Sequence, residues 1–318
     1  MKQIQLKKPG GLGNIILRNV DTPQTKSNEI LIKISASSLN YHDLLVALGL
    51  IPSEDGRVPL SDAAGEIVEI GSDVKDWKVG DHVMSLCFPN WQSGAPKYEL
   101  LSFIGDHEDG YAAEYIAIQE TAVTKMPSYM NFAQAATLPC AGLTAWRALV
   151  DDGHLKAGET VLVQGTGGVS IFALQLAKSM GAKVIATSST EEKLKKLKEL
   201  GADELINYKE TPEWGKKVLS LTNNEGVDHV IEVGGGETFG ESVRATKLGG
   251  HIALIGVLSG PNASEIVLPR IFLKQIRVSG ISMANKESQI ALIEYLEKTN
   301  IKPVISDVFD LADLPKAF

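Results

Sequence analysis

The residues whose type and spacing suggest chemistry most directly are Gly165, Gly167 and Gly168, in the run TVLVQ-GTGGVS-IFALQLAKSMG (160–181). A short apolar strand ends at Gln164, and the steps Val169, Phe172, Leu176 and Met180 mark a helix that begins at about Gly168. A glycine at 165 permits a tight turn. One at 167 lets the backbone approach a pyrophosphate, whose charge is stabilised by free N–H groups at a helix N-terminus. Ser170 replaces the third glycine of the dinucleotide fingerprint and is small enough for close helix–strand packing. Strand, turn, helix and a second strand in that order point to a bound dinucleotide.

The end of the second strand selects between dinucleotides. An NAD site places Asp or Glu there to hold the ribose 2′-OH. This chain reads VIATSSTEEKLKKLK, with Ser188 and Ser189 in that place and Lys193, Lys195, Lys196 and Lys198 in the helix that follows. Hydroxyls and an ammonium suit a 2′-phosphate, which a carboxylate would repel, so the expected cofactor is NADP(H). The same residues have a plainer reading: Ser189 and Glu192 form an S-x-x-E capping box, and the lysines form a solvated helix face.

The elements that must position these groups follow from texture. Apolar, strand-like runs recur at 160–164, 183–187, 204–208, 229–233, 251–255 and 276–281, with helical spacing between the first five. That is the pattern of a parallel sheet covered on both faces, of the size of one doubly wound nucleotide-binding domain. Before about residue 125, β-type runs at 29–38, 65–71, 80–86 and 113–118 alternate with turn signals and predict an antiparallel, barrel-like sheet. Residues 87–111 read as a long loop, with Trp91 and Tyr111 bracketing it either at a substrate entrance or in surface packing. A helix is expected over 289–297, followed by the β-type PVISDVF.

The 318 residues suggest two domains. A net charge of −8 argues against nucleic acid or a membrane surface as the main partner and leaves a small-molecule substrate. Only Cys87 and Cys140 are present, with no apolar run of membrane-spanning length and no signal-peptide core, so the expectation is a reduced, cytoplasmic protein.

The blocks SLNYHDLL (38–45), PLSDAAGEIVEIG (59–71), VGDHV (79–83), ATLPCAGLTAW (136–146), VLVQGTGGVS (161–170), IEVGG (231–235) and LIGVLSG (254–260) extend the pattern over nearly the whole chain. With them the sequence resembles the medium-chain dehydrogenase/reductase superfamily, in its zinc-free, quinone-oxidoreductase-like branch. The resemblance implies an α/β architecture: a Rossmann doubly wound parallel sheet (126–282) inserted in a GroES-like, mostly β catalytic domain (1–125, completed by 283–318). It implies that Gly167, Gly168 and Val169 face the pyrophosphate, with Gly165 making the turn of the same cofactor-binding loop. Ser188, Ser189, Lys193 and Tyr208 would surround the 2′-phosphate, although Tyr208 also fits an ordinary strand-end aromatic. Thr144, Val233, Gly234, Gly256 and Val257 would border the nicotinamide, and Asn40 would reach its ribose. Chains of this kind usually continue past …LPKAF with a further strand, so an unpaired sheet edge is expected near that point.

Zinc-dependent members carry Cys, His and Cys at three positions that here fall on Asn40, Ser61 and Cys140. Amide and hydroxyl groups are poor zinc ligands, so no zinc is expected. Without a Lewis acid, charge that develops on a simple carbonyl has no stabiliser, whereas a quinone or α,β-unsaturated ketone delocalises it. The expected reaction is therefore NADPH-dependent hydride transfer to a conjugated acceptor. Asn40, Tyr41 and His42 are the candidate catalytic groups, His42 as the proton source and alternatively a hydrogen-bonded packing residue. An alcohol dehydrogenase or carbonyl reductase with a non-standard metal site, and a catalytically weak NADPH-binding protein, are the alternatives. The strand at 276–281 should lie at a sheet edge and could pair with its twin in a homodimer or homotetramer.

Overall fold

In the computed structural model, which describes residues 1–263 and 266–318, the alternating runs near the N-terminus pair as antiparallel strands. β1 (Lys2–Leu6) pairs with β2 (Ile15–Asn19). β3 (Glu29–Ala36) and β4 (Ala64–Ile70) are joined by β5 (His82–Ser85), β6 (Tyr115–Gln119) and β7 (Val123–Lys125) in a sheet of order β6-β3-β4-β5-β7. Every neighbouring pair in it is antiparallel. Ile30, Ile32, Ile67, Val83 and Val123 point to one buried face, as period-2 alternation requires. Helix α1 (Tyr41–Ala47) follows β3, and the short α2 (Phe132–Ala135) follows β7. Trp91 and Tyr111 are both buried and pack in two separate apolar clusters, so neither lines an entrance. The long loop carries aromatic core: Phe88, Trp91 and Phe103 interlock around Cys87.

The chain divides into two compact units, Met1–Leu143 with Met283–Phe318, and Thr144–Ser282. The change of texture near residue 125 places residues 126–143 with the second segment, but they pack with the first unit; Phe132 sits edge-on to His82 at 4.8 Å. Helix α3 (Leu143–Trp146) contains the boundary.

In the second unit the strands are β8 (Thr160–Gln164), β9 (Lys183–Ser188), β10 (Glu204–Asn207), β11 (Val227–Glu232), β12 (Thr246–Leu254) and β13 (Arg277–Gly280). The helices are α4 (Gly168–Ser179), α5 (Glu191–Glu199), α6 (Trp214–Leu221), α7 (Phe239–Ala245) and α8 (Leu268–Leu273). All pairings are parallel and the order is β10-β9-β8-β11-β12-β13, the 3-2-1-4-5-6 arrangement of a dinucleotide-binding sheet. Val161, Leu162 and Val163 are wholly buried, because helices cover both faces. β13 lies at one edge. The strand order reverses between β8 and β11, and ligands bind at the carboxyl ends of strands at such a point.

Helix α9 (Lys286–Thr299) returns to the first unit, where Gln289 donates to the Ser85 carbonyl at 2.9 Å and to Thr124 Oγ1 at 2.7 Å. The PVISDVF segment is not a strand; no strand among the described residues pairs with it, and Val304, Val308 and Phe309 stay exposed. α10 (Leu314–Ala317) contributes Leu314 to the core around Ile4, Leu6 and Val46.

Candidate functional site

β8 delivers Gln164 to its carboxyl end, and Gly165 turns the chain with φ +72°, a left-handed conformation that suits glycine. A Cβ built on Gly165 or Gly167 would meet nothing within 4 Å, so the space over the turn is open. Gly167 precedes the first turn of α4, and no side chain caps that helix. Its leading N–H groups are therefore available to an anion, and a dinucleotide pyrophosphate fits this cradle. Gly168 and Val169 are the first two residues of α4. Ser170, buried, donates from Oγ to the Gln164 carbonyl at 2.6 Å and ties the helix to the strand end.

Ser188 closes β9, buried, and its carbonyl accepts from the Tyr208 N–H at 3.1 Å, so these two residues lie side by side. The helix cap is Thr190, not Ser189: Thr190 Oγ1 accepts from the Lys193 N–H at 3.3 Å. Ser189 is half-buried, and Lys193 is exposed in the first turn of α5. Glu191 stands in the same turn, where Asn207 Nδ2 donates to it at 3.2 Å.

Between β8 and β11 the structure contains a buried polar network that the glycine pattern does not reveal. Glu232 is fully buried at the end of β11. It accepts from Gln164 Nε2 (2.8 Å), Thr238 Oγ1 (2.6 Å), and the N–H groups of Gly234 (2.8 Å) and Gly235 (2.9 Å). Ser242 Oγ donates to it as well. Val233 and Gly234 are thereby held against 256–260. The Ser259 N–H donates to the Gly234 carbonyl at 2.7 Å, and a Cβ on Gly256 would lie 2.5 Å from the Val233 carbonyl oxygen. Val257 is exposed beside them, and Thr144 is buried at the start of the unit. The signal for Gln164 is a polar residue directly after the apolar run Val161–Val163, and for Glu232 one directly after Val230 and Ile231.

The first unit holds a different polar cluster. Asn40 precedes α1; its N–H donates to Asp43 at 2.9 Å, and Nδ2 donates to Asp62 at 3.0 Å and Ser61 at 3.3 Å. Asp62 also accepts from Ser38 Oγ at 2.6 Å and the Cys87 thiol at 3.4 Å. Burial first, then the charge of Asp62, pushes Asp43 up to about 7. Burial raises Asp62 to about 6 against the hydrogen bonds of Asn40 and Ser38. Burial also pushes the Cys87 thiol up. Tyr41, the first residue of α1, is half exposed.

His42 Nε2 lies 3.1 Å from Asp106 Oδ2, and its ring packs edge-on against Phe103 at 4.2 Å. His107, exposed, brings Nδ1 to 2.6 Å from Asp106 Oδ1, and its N–H donates to the same oxygen. Burial works against the Asp106 charge, but the hydrogen bonds from His42 and His107 prevail and hold its carboxyl below the usual range. Asp106 and His107 carry no signal in the sequence beyond their place in the long loop.

A zinc ion does not suit this cluster. At the three relevant positions, Asn40 spends its amide hydrogens on Asp62 and Ser61, Ser61 offers a buried hydroxyl, and Cys140 packs beside Cys87. Among the described residues no three His, Cys, Asp or Glu side chains are placed to hold a metal ion.

Residues 26–128 match the alcohol dehydrogenase GroES-like domain, and residues 168–298 match the zinc-binding dehydrogenase family. The chain is 38% identical to a zinc-type alcohol dehydrogenase-like protein of Schizosaccharomyces pombe, over 91% of this chain and 86% of that protein. It is 32% identical to the acryloyl-coenzyme A reductase of Sulfurisphaera tokodaii, over 98% of this chain and 93% of that protein. Among solved structures, a quinone oxidoreductase of Pseudomonas syringae pv. tomato DC3000 superposes with a TM-score of 0.84 at 26% identity, covering 99% of this chain and 94% of that one. No helix among the described residues is long and apolar enough to cross a membrane. The sheet order, the open glycine turn and these likenesses agree: the chain belongs to the medium-chain dehydrogenase/reductase superfamily of oxidoreductases.

Proposed function

We propose that this oxidoreductase is a zinc-independent, NADPH-dependent reductase of conjugated acceptors such as quinones or α,β-unsaturated ketones. The carrying observation is the cluster at Asn40, Ser61 and Cys140. Its amide is committed to hydrogen bonds and its donors are not a zinc ligand set. An acceptor that delocalises negative charge requires no Lewis acid, only hydrogen bonds and a proton. The names of the relatives above, a quinone oxidoreductase and an acryloyl-coenzyme A reductase, belong to acceptors of this kind.

When bound, the reduced nicotinamide supplies the hydride. The chain does the rest. Backbone N–H groups from Gly167 to Val169 hold the pyrophosphate, and Ser188, Ser189, Lys193 and Tyr208 hold the 2′-phosphate. Thr144, Val233, Gly234, Gly256 and Val257 border the nicotinamide. Asn40 couples the two buried carboxylates and orients α1, and His42, with Tyr41 beside it, supplies the proton. Glu191, three residues after Ser188 and in the first turn of α5, favours a second reading in which a carboxylate takes the ribose hydroxyls of NADH.

Parallel fluorescence titrations with NADPH and NADH decide the cofactor. NADPH is expected to bind about tenfold more tightly, an advantage lost in Lys193→Glu, which is a difference of about 1.4 kcal/mol. Chelator-treated protein should still reduce quinones or enones. Equal binding of both nucleotides would favour the Glu191 reading, and binding of neither would overturn the assignment.

A further inference from the structure

His42 is held from two sides, and its remaining ring nitrogen is left without a partner. Its Nε2 meets Asp106, and its ring edge meets Phe103. Its Nδ1 is buried without a hydrogen-bond partner. An orphaned buried ring nitrogen calls for a ligand atom to complete it. Asp106 is shut away from water to about 5% side-chain exposure, and each of its oxygens faces one imidazole. A buried carboxylate between two imidazoles can only accept, so His42 must carry a proton on Nε2 to bond it. That fixes the tautomer and leaves Nδ1 as the ring nitrogen not engaged by the protein.

We propose that Asp106, braced by His107, is the positioning residue that makes His42 Nδ1 the proton donor to the reduced acceptor. This rests on the conjugated-acceptor reading above. The acceptor gains a hydride from the reduced nicotinamide and one proton. The proton leaves His42 as its Nδ1–H bond breaks, and a C–H or O–H bond forms on the acceptor. His42 is left neutral with its remaining proton on Nε2, shared with Asp106, and solvent returns the lost proton after product leaves. A carboxylate behind an imidazole orients it in this way in unrelated hydrolases. Here the roles of the two ring nitrogens are exchanged.

A double-mutant cycle with a tautomer measurement tests this. Asp106→Asn should lower kcat for quinone or enone reduction by ten- to a hundredfold and leave the NADPH dissociation constant within twofold. In a His42→Ala background the same substitution should cost nothing further. Equal losses in both backgrounds, or NADPH binding weakened as much as kcat, would overturn the proposal, since Asp106 would then be structural. The 15N spectrum of the His42 ring in the unmodified protein is independent of turnover and of how the variants fold. It should show the Nε2–H tautomer, and an Nδ1–H neutral ring would overturn the proposal. If no quinone or enone is reduced at all, the acceptor reading fails, while the ring spectrum still judges the role of Asp106.

Discussion

Glu232 in the second unit and Asp43 and Asp62 in the first are all shut away from water, yet they are surrounded differently. Glu232 accepts from two backbone N–H groups, two hydroxyls and an amide. Asp62 accepts from one amide, one hydroxyl and a weak thiol donor, and Asp43 accepts from one N–H while its Oδ1 has no partner. A carboxylate satisfied on both oxygens fixes geometry: Glu232 welds the ends of β8 and β11 and holds the 233–236 turn. Carboxylates short of donors hold their protons into the neutral range, as Asp43 and Asp62 do. One unit thus spends its buried carboxyl group on a rigid cradle. The other keeps groups whose protonation changes near neutrality, which is the property a proton-handling site needs.

The largest expected effect tests the rigid half of that contrast. Glu232→Ala takes the acceptor from five buried donors, of which Gln164 Nε2 keeps Ser242 Oγ, and each buried group left unpaired costs about 1–3 kcal/mol. Urea unfolding should show a lowered midpoint, equivalent to a loss of several kcal/mol of stability, and NADPH binding should be lost with the 233–236 turn. Unchanged unfolding would break the comparison, because Glu232 would then be no weld.

How much of this was legible in the sequence divides along the same line. The cradle is made from backbone, and its requirements leave marks: a glycine where φ is +72° at Gly165, apolar runs for buried parallel strands, a helix directly after the turn. All six strands of that sheet can be read from their apolar runs. The first unit's cluster is made from side chains far apart in the chain. His42 and Asp106 are 64 residues apart, and nothing local in CFPNWQSGAPKYELLSFIGDHEDGY announces that its Asp-His pair meets α1. Trp91 and Tyr111 mislead for the same reason: a loop without periodicity looks like surface until its aromatic residues are seen to pack inward. PVISDVF misleads in the opposite sense, since alternation makes a strand only where another strand can pair with it.

A smaller effect sharpens the contrast through pH. Asp43 sits at about 7 in the fold against an ordinary 3.8, so the native state holds its proton after the unfolded chain has lost it. Stability then falls as pH rises from about 4 to about 7, and stays reduced above that. In the second unit His251 has both ring nitrogens buried and unpartnered; burial first, then the charge of His229, lowers it to about 4 from 6.5. There the unfolded chain protonates first, so stability falls as pH drops from about 6.5 to about 4. Asp43→Asn should therefore stabilise the protein at pH 8, by roughly 1–3 kcal/mol, with the gain fading towards pH 4. His251→Leu should flatten the acid limb and leave pH 8 nearly unchanged. Denaturation at pH 4.5, 6 and 8 reads both, and shifts of the same sign in the two variants would erase the distinction.

The smallest effect separates two adjacent hydroxyls. Thr190 caps α5 through its bond from the Lys193 N–H, whereas Ser189 is not the cap. Removing a capping hydroxyl typically costs about 1 kcal/mol, so Thr190→Ala should lower stability by that amount. Ser189→Ala should change stability by only a few tenths, within the usual range for a side chain outside such features. Its effect belongs instead to the cofactor: if the Ser189 hydroxyl faces a 2′-phosphate, its loss weakens NADPH binding and spares NADH. A Ser189→Ala variant that loses stability as Thr190→Ala does, with both nucleotides bound as before, would return this hydroxyl to the scaffold. The 2′-phosphate would then be left to Ser188, Lys193 and Tyr208.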